Sequence, residues 1–335
     1  MSKKRILDAI RGVKDIAELR FVAGLEDHEM KCVKDRIDKL FEHSVYHGKC
    51  KRSMLLVTAY EALGGGQNEK QLQLVSNIAA CLELLQTFFL IEDDIMDEGV
   101  SRRGKPCWHR LEEIGMNAIN DGLLLDSMVS YTLRNSQIPQ LVKDAFDEAR
   151  RVTVIGQMLD CDTKRIEDCT WQRYRTITQR KTSHYTYYTP LQIAALLTAQ
   201  LSIIQPLKRI AYQLGYLFQS KDDYMDCFVD ESITGKVGSD LKEAKCTWVT
   251  CKAMEKLYDQ PNLLKDFQDN FGKSSATSEQ KLKQILADLQ IEGDFHLFRE
   301  RYGTAIMDDI DHFPMIDLRP VLRKSTIDLL NTNLS

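Results

Sequence analysis

Proline and glycine are scarce, at 7 and 17 of 335 residues. With so few breakers, long segments run uninterrupted, and almost none alternates with the period of a strand, which excludes sheet architectures and points to an all-α chain. Nine cysteines are present, but none form a Cys-x-x-Cys pair, which excludes zinc ribbons and thioredoxin-like motifs. An odd number of scattered thiols reads as reduced, in a cytoplasmic protein. Excess positive charge is missing as well: the formal net charge is −4, so there is no basic footprint for nucleic acid. No run of about 18 apolar residues catches the eye, so no transmembrane span is expected. The basic start Met1-Ser2-Lys3-Lys4-Arg5 leads into no apolar stretch, so no secretory leader is expected either. A hydrophobic share of 43% suffices for a large core. With no low-complexity linker and no short repeat, residues 1–335 read as a single domain.

The apolar spacing predicts helices near 26–43, 50–63, 69–96, 118–134, 139–160, 170–186, 191–201, 205–227, 240–257, 277–289, 293–310 and 318–330. Gly64-Gly65-Gly66 is expected to end the second of these.

Two Asp-Asp-x-x-Asp clusters stand out: Asp93-Asp94-Ile95-Met96-Asp97 and Asp222-Asp223-Tyr224-Met225-Asp226. Aspartate fills 30 of 335 positions, so a random chain of this composition would hold roughly 0.2 copies. Two copies, each following an apolar helical approach, are not composition alone. Residues i and i+4 share a helix face, so Asp93 lies near Asp97 and Asp222 near Asp226. Clustered carboxylates at an apolar helix end ask for cations. Mg²⁺ fits, because it takes carboxylate oxygens and leaves positions open for phosphate; oxygen ligands suit Mn²⁺ too. Asp308-Asp309-Ile310-Asp311 is as acidic but lacks the i+4 member and reads as surface. The predicted architecture is an antiparallel helical bundle with the two acidic helix ends facing each other across a deep central cavity.

Basic residues follow the acidic ones. Arg102 and Arg103 stand in Ser101-Arg102-Arg103-Gly104, where paired guanidinium forks suit phosphate. Gly48-Lys49-Cys50-Lys51-Arg52 precedes a core helix, and Thr234-Gly235-Lys236 has the glycine that lets a lysine loop bend. Phe88 and Phe89 lie five and four residues before Asp93, roughly 6–7.5 Å down the helix. Rings there would floor a pocket beneath a metal site, or simply pack in the core.

Taken in order, Glu83–Asp97, Ser101–Gly104, Phe218–Asp226, Thr234-Gly235-Lys236 and Lys245-Cys246-Thr247-Trp248 resemble the trans-isoprenyl diphosphate synthases, most closely the branch that makes farnesyl diphosphate. The resemblance covers roughly residues 30 to 325 and implies the isoprenoid-synthase helical fold and a homodimer. It implies three Mg²⁺ ions on the diphosphate of dimethylallyl or geranyl diphosphate. Asp93 and Asp97 would hold two, Asp222 the third, with Asp94, Asp223 and Asp226 in support. It implies that Arg102, Lys181 and Lys236 touch that diphosphate. The Lys181 carbonyl, Thr182 and Gln219 would steady the allylic cation. Gly48, Lys49, Arg52, Gln86 and Arg103 would hold isopentenyl diphosphate, and Phe88 and Phe89 would stop the product at fifteen carbons, or at ten.

Four positions depart from the family pattern. His47 precedes Gly48-Lys49, Ser53 stands where a glycine follows the arginine, Lys221 replaces a glutamine before the second acidic motif, and the chain ends without a basic tail. All four bear on isopentenyl diphosphate or on closure, while the six aspartates stand. A terpene synthase that ionises a prenyl diphosphate to a hydrocarbon or alcohol is therefore an alternative reading. A weakly active regulatory subunit of a prenyl synthase is another.

Overall fold

The computed structural model describes residues 2–331; the last four residues, on which the reading of the C-terminal tail partly bears, lie outside them. The chain is all-α. Among the described residues the only strands are Ser101–Arg102 and Lys105–Pro106, two residues each. The chain divides into two compact units.

The first unit comprises Met1–Val100, Pro106–Asp147 and Pro190–Ile204. Its central element is the helix Glu69–Met96, on the boundaries the apolar spacing predicts. Asn68 caps it, its side chain accepting the Gln71 N–H at 3.0 Å. From Val75 to Thr87 nearly every residue is buried, because the helices Lys3–Phe21, Lys51–Ala62 and Ala118–Asn135 pack around it. It also holds an 18-residue stretch apolar enough to cross a membrane, which the sequence reading overlooked; 72% of that stretch is buried inside the protein. Lys51–Ala62 does end at the triple glycine, with Gly64 at φ +83°. Lys3–Phe21 is a helix the sequence reading missed. Its buried stripe of Ile6, Ala9, Ile10, Val13 and Ala17 has helical spacing, thinly spread among charges. A buried carboxylate braces the stretch after the first acidic motif: Asp121 accepts from Arg36 Nη2 at 2.6 Å and from Trp108 Nε1 at 2.7 Å.

The second unit comprises Ser101–Lys105, Glu148–Thr189 and Gln205–Ser335. Its core is aromatic. Tyr224 stacks on Phe295 with centroids 4.3 Å apart, and Trp248 meets Phe295 edge-on at 5.2 Å. Trp171–Ile177 continues into a wide π-type stretch, Thr178–Tyr188, a geometry often found where function displaces the ordinary helix. Ile204–Phe228 carries the second acidic motif at its C-terminal end. The helix expected over 240–257 begins only at Trp248, because Thr247 and Thr250 cap each other there. Pro261–Asn270 is a further helix not foreseen, with proline at its start.

Candidate active site

In the second unit the helix Ile204–Phe228 presents its polar residues at turn spacing. Lys236 Nζ lies 3.5 Å from Asp222 Oδ2 and 3.3 Å from Asp226 Oδ2. The i, i+4 carboxylates thus converge on one cation, as their spacing predicts. The charge of Asp222 beside it, with those of Asp226 and Asp240, outweighs burial and holds the Lys236 ammonium well above its usual range. Asp226 is fixed by the following loop: its Oδ1 accepts from Ser239 N and Asp240 N, both at 3.0 Å. Burial and the neighbouring Asp226 charge push the Asp240 carboxyl up.

Asp223 behaves differently. It is turned inward, accepting from Trp248 N and from Gln219 Nε2, both at 2.8 Å. Burial raises its carboxyl to about 7 against the pull of those donors. It ties the acidic helix to the start of Trp248–Leu257 and is not offered to a ligand.

The lysine loop and the arginine loop meet. Gly235 sits at φ +73°, and its carbonyl accepts from Gly104 N at 3.0 Å. Arg102 is near enough for its charge to act on Lys236. Arg103 holds φ +56°, a left-handed conformation that is costly for any residue with a Cβ and is found at functional turns.

Lys181 and Thr182 lie on the π-type stretch. Thr182 Oγ1 donates to Gln219 Oε1 at 2.5 Å, bringing together two residues assigned to one task. Lys181 Nζ donates to Asp160 Oδ2 at 2.6 Å, and Lys245 Nζ reaches the same oxygen at 3.1 Å. Asp160 is buried, and two lysine charges outweigh the desolvation that opposes them, holding its carboxyl below the usual range. The backbone approaches closely here: a Cβ on Gly156 would lie 2.2 Å from Lys181 N. Asp160 and Gly156 were not foreseen. The available signal was their i, i+4 spacing on the inward face of Gln140–Cys161.

In the first unit Glu69–Met96 ends inside its motif. Asp97 N donates to Asp93 O at 2.9 Å and Gly99 N to Asp94 O at 2.8 Å. Asp94 is the buried member of this motif, as Asp223 and Asp226 are of the other, while Asp93 and Asp97 are partly exposed. Phe88 and Phe89 pack against each other at 5.2 Å, with Phe88 also against Gly122. Glu92 lies against the same glycine, and burial raises its carboxyl. Lys49 is exposed, and Arg52 is in the first turn of Lys51–Ala62. The Lys51–Ala62 helix is entered through Cys50 at φ +52°, a second strained residue beside a basic element. Gln86 is buried, its side-chain oxygen without a hydrogen-bond partner. Ser53 is fully used internally: its hydroxyl donates to Glu83 Oε1 at 2.6 Å and lies 2.8 Å from Ala79 O.

The donor set of both motifs is carboxylate oxygen, and the outer pair of the second motif already converges on an ammonium ion. That suits Mg²⁺. Among the described residues no three His, Cys, Asp or Glu side chains are gathered tightly enough to hold a metal by themselves. Asp222 and Asp226 fit a cation as a pair, with other oxygens required to complete its shell.

The polyprenyl synthetase family model matches residues 34–289. Farnesyl pyrophosphate synthase 1 of Cannabis sativa is 33% identical over 297 residues, covering 86% of this chain and 87% of the relative. Farnesyl pyrophosphate synthase 2 of Arabidopsis thaliana is 35% identical over 271 residues, covering 77% and 79%. Among solved structures, farnesyl diphosphate synthase of T. brucei complexed with risedronate shares the fold, with a TM-score of 0.86 at 24% identity over 98% of both chains.

Proposed function

The chain belongs to the polyprenyl synthetase family, and we propose that it is a Mg²⁺-dependent prenyltransferase that condenses isopentenyl diphosphate with dimethylallyl or geranyl diphosphate to give farnesyl diphosphate. The observation that carries this reading is the convergence of Asp222 and Asp226 on Lys236, with Arg102 close by. That is a place where negative oxygens, a cation and a phosphate-binding guanidinium belong together.

Asp93 and Asp97 in one motif and Asp222 in the other would hold the metal ions, with Asp94, Asp223 and Asp226 shaping the helix ends. When bound, Mg²⁺ supplies positive charge to the departing diphosphate. Lys236, Arg102 and Lys181 add fixed positive charge at the same oxygens, so less reorganisation is needed as C1–O breaks. Thr182 and Gln219, joined by their hydrogen bond, would orient their oxygens and the Lys181 carbonyl toward the allylic cation. Gly48, Lys49, Arg52, Gln86 and Arg103 would seat isopentenyl diphosphate. The released diphosphate would take the proton lost on forming the new double bond. Phe88 and Phe89 would limit the tail and help exclude water, which would quench the cation.

We further propose a homodimer in the cytoplasm. Met116, Ile119 and Leu123 expose apolar side chains at helical spacing along Ala118–Asn135 and its entry, a face suited to a second copy. Light scattering behind a sizing column tests this, and a monomer at micromolar concentration would remove it.

The test of the reaction is product analysis with Mg²⁺ and geranyl diphosphate, with and without isopentenyl diphosphate. A fifteen-carbon diphosphate formed only with both substrates is expected, and chelation should abolish it. Hydrocarbon or alcohol from geranyl diphosphate alone would establish the terpene synthase instead.

A further inference from the structure

The second unit has a cavity of about 1130 Å³ whose lining includes none of the residues assigned above. It opens where Ile204–Phe228 ends. Phe228, Val229, Ala287 and Leu297 are the apolar part of its lining. Leu297 leaves 53% of its surface exposed, a large cost-free contact for an apolar ligand. The volume suits a small organic molecule.

The charges on the rim decide what kind. Lys256 is taken up: its ammonium lies 2.5 Å from Asp294 Oδ2 and 2.6 Å from the Leu289 carbonyl. Lys283 is paired with Glu279 at 2.7 Å. Two carboxylates remain, Asp230 and Glu292. Neither has an ammonium or guanidinium within ion-pair distance among the described residues. Glu292 accepts from Tyr224 Oη–H at 2.6 Å, and His296 stands 3.9 Å away, charged only when protonated. Asp230 accepts hydrogen bonds from the side chain of Ser232 and from Ser232 N, the latter at 2.9 Å, which together hold its carboxyl below the usual range and keep its negative charge at the rim. The charge without an ionic partner at this cavity is therefore negative, beside an apolar part of the lining.

We propose that this cavity binds an organic ammonium ion with an apolar body, its ammonium on Asp230 and Glu292 and its body on Phe228, Val229 and Leu297. Asp230 also caps Glu231–Thr234, the short turn that leads through Gly235 to Lys236. An occupant that pulls on Asp230 therefore changes the set of the loop that places Lys236 against Asp222 and Asp226. The binding claim stands apart from the prenyltransferase reading, while the consequence for catalysis rests on it.

The test titrates 1-naphthylmethylamine into the full-length protein and follows naphthalene fluorescence, with 1-naphthylacetate as the same ring of opposite charge. Saturable binding of the amine and none of the carboxylate is expected. The double variant Asp230→Asn, Glu292→Gln should bind the amine at least about tenfold more weakly, since it keeps the shape and loses both charges. Equal binding of amine and carboxylate, or amine binding unchanged in the double variant, overturns the site. Hydrogen exchange over residues 231–236 reads the coupling without turnover. A change on adding amine to the wild type, absent in the double variant, is expected, and no change in the wild type overturns the coupling. Failure of the prenyl reading would show in product analysis and leave both of these readouts standing.

Discussion

Neutralising Asp160 tests whether the buried triad behind Lys181 is a support or an accident of packing. Its carboxylate accepts from two ammonium groups on one oxygen, at 2.6 Å from Lys181 and 3.1 Å from Lys245. Asp160 and Lys245 each leave only 8% of the side chain exposed, Lys181 23%. Asp160→Asn keeps the shape and takes the carboxylate charge away from both ammonium groups, while Lys245 retains Glu243 Oε2 at 3.9 Å. Stranding a buried charge by removing its partner typically costs about 3–5 kcal/mol. Lys181 can turn partly to water and Lys245 keeps Glu243, so the lower end, about 2–3 kcal/mol, is expected here. Urea unfolding at neutral pH measures it, and Asp160→Asn combined with Lys245→Met should recover part of the loss, by about 1–2 kcal/mol.

The pH dependence has a definite sign. Burial pushes the Asp160 carboxyl up, but the two lysine charges and their hydrogen bonds outweigh it, and its folded value lies below the ordinary one. A depressed carboxylate contributes stability in full above its unfolded value, about 3.9, and loses it as pH falls through the folded value. The gap between wild type and Asp160→Asn should thus stay level from about pH 8 to 5 and narrow only below about pH 4. A loss under about 1 kcal/mol, or a gap already closing near pH 6, would refute the triad as a buried ionic support.

Lys236→Met should lower kcat/KM about 10²–10³-fold, measured by steady-state kinetics, and should also lower the thermal unfolding midpoint, because it takes the ammonium from the buried Asp226 carboxylate. Because its neighbours hold Lys236 charged, wild-type activity should show no limb from this lysine up to about pH 10. Gly156→Ala would drive a Cβ against the Lys181 backbone, so about 1–3 kcal/mol of destabilisation is expected together with a raised KM for geranyl diphosphate. A variant of normal stability and KM would mean that this close approach is not needed. Ser53→Ala should cost about 1–3 kcal/mol in urea unfolding, because it takes a donor from the buried Glu83 carboxylate.

The acidic helix ends were legible because their spacing is a local property: i and i+4 share a face whatever surrounds them, and Asp222 and Asp226 do meet one cation. What spacing could not show is how six aspartates divide their work. Asp94, Asp223 and Asp226 are all buried, and only the tertiary contacts separate their parts: Asp223 accepts from Trp248 N and Gln219, Asp226 from the loop at Ser239 and Asp240. Asp160 escaped for a related reason. Its i, i+4 spacing from Gly156 places it on a helix face but says nothing of its partners, and its two lysines are 21 and 85 residues away. The helices fared in the same way. Strong apolar periodicity put Glu69–Met96 on its boundaries, whereas Trp248 begins its helix late because of a threonine pair that periodicity does not see.

Ser53 bears on the choice between elongation and terpene synthesis. Where the family has glycine, a side chain here could have projected into the substrate space beside Arg52 and spoiled the second site. It does not project: the hydroxyl is spent on Glu83 and Ala79 within the packing of Lys51–Ala62 against Glu69–Met96. The substitution therefore adds a hydrogen bond that joins these two helices, one carrying Arg52 and the other Gln86 and the first acidic motif. A change that stiffens the frame of the second substrate's proposed residues is compatible with retaining that substrate. It removes one of the sequence differences that favoured terpene synthesis, so product analysis of the wild type and of Ser53→Gly should give the same fifteen-carbon diphosphate.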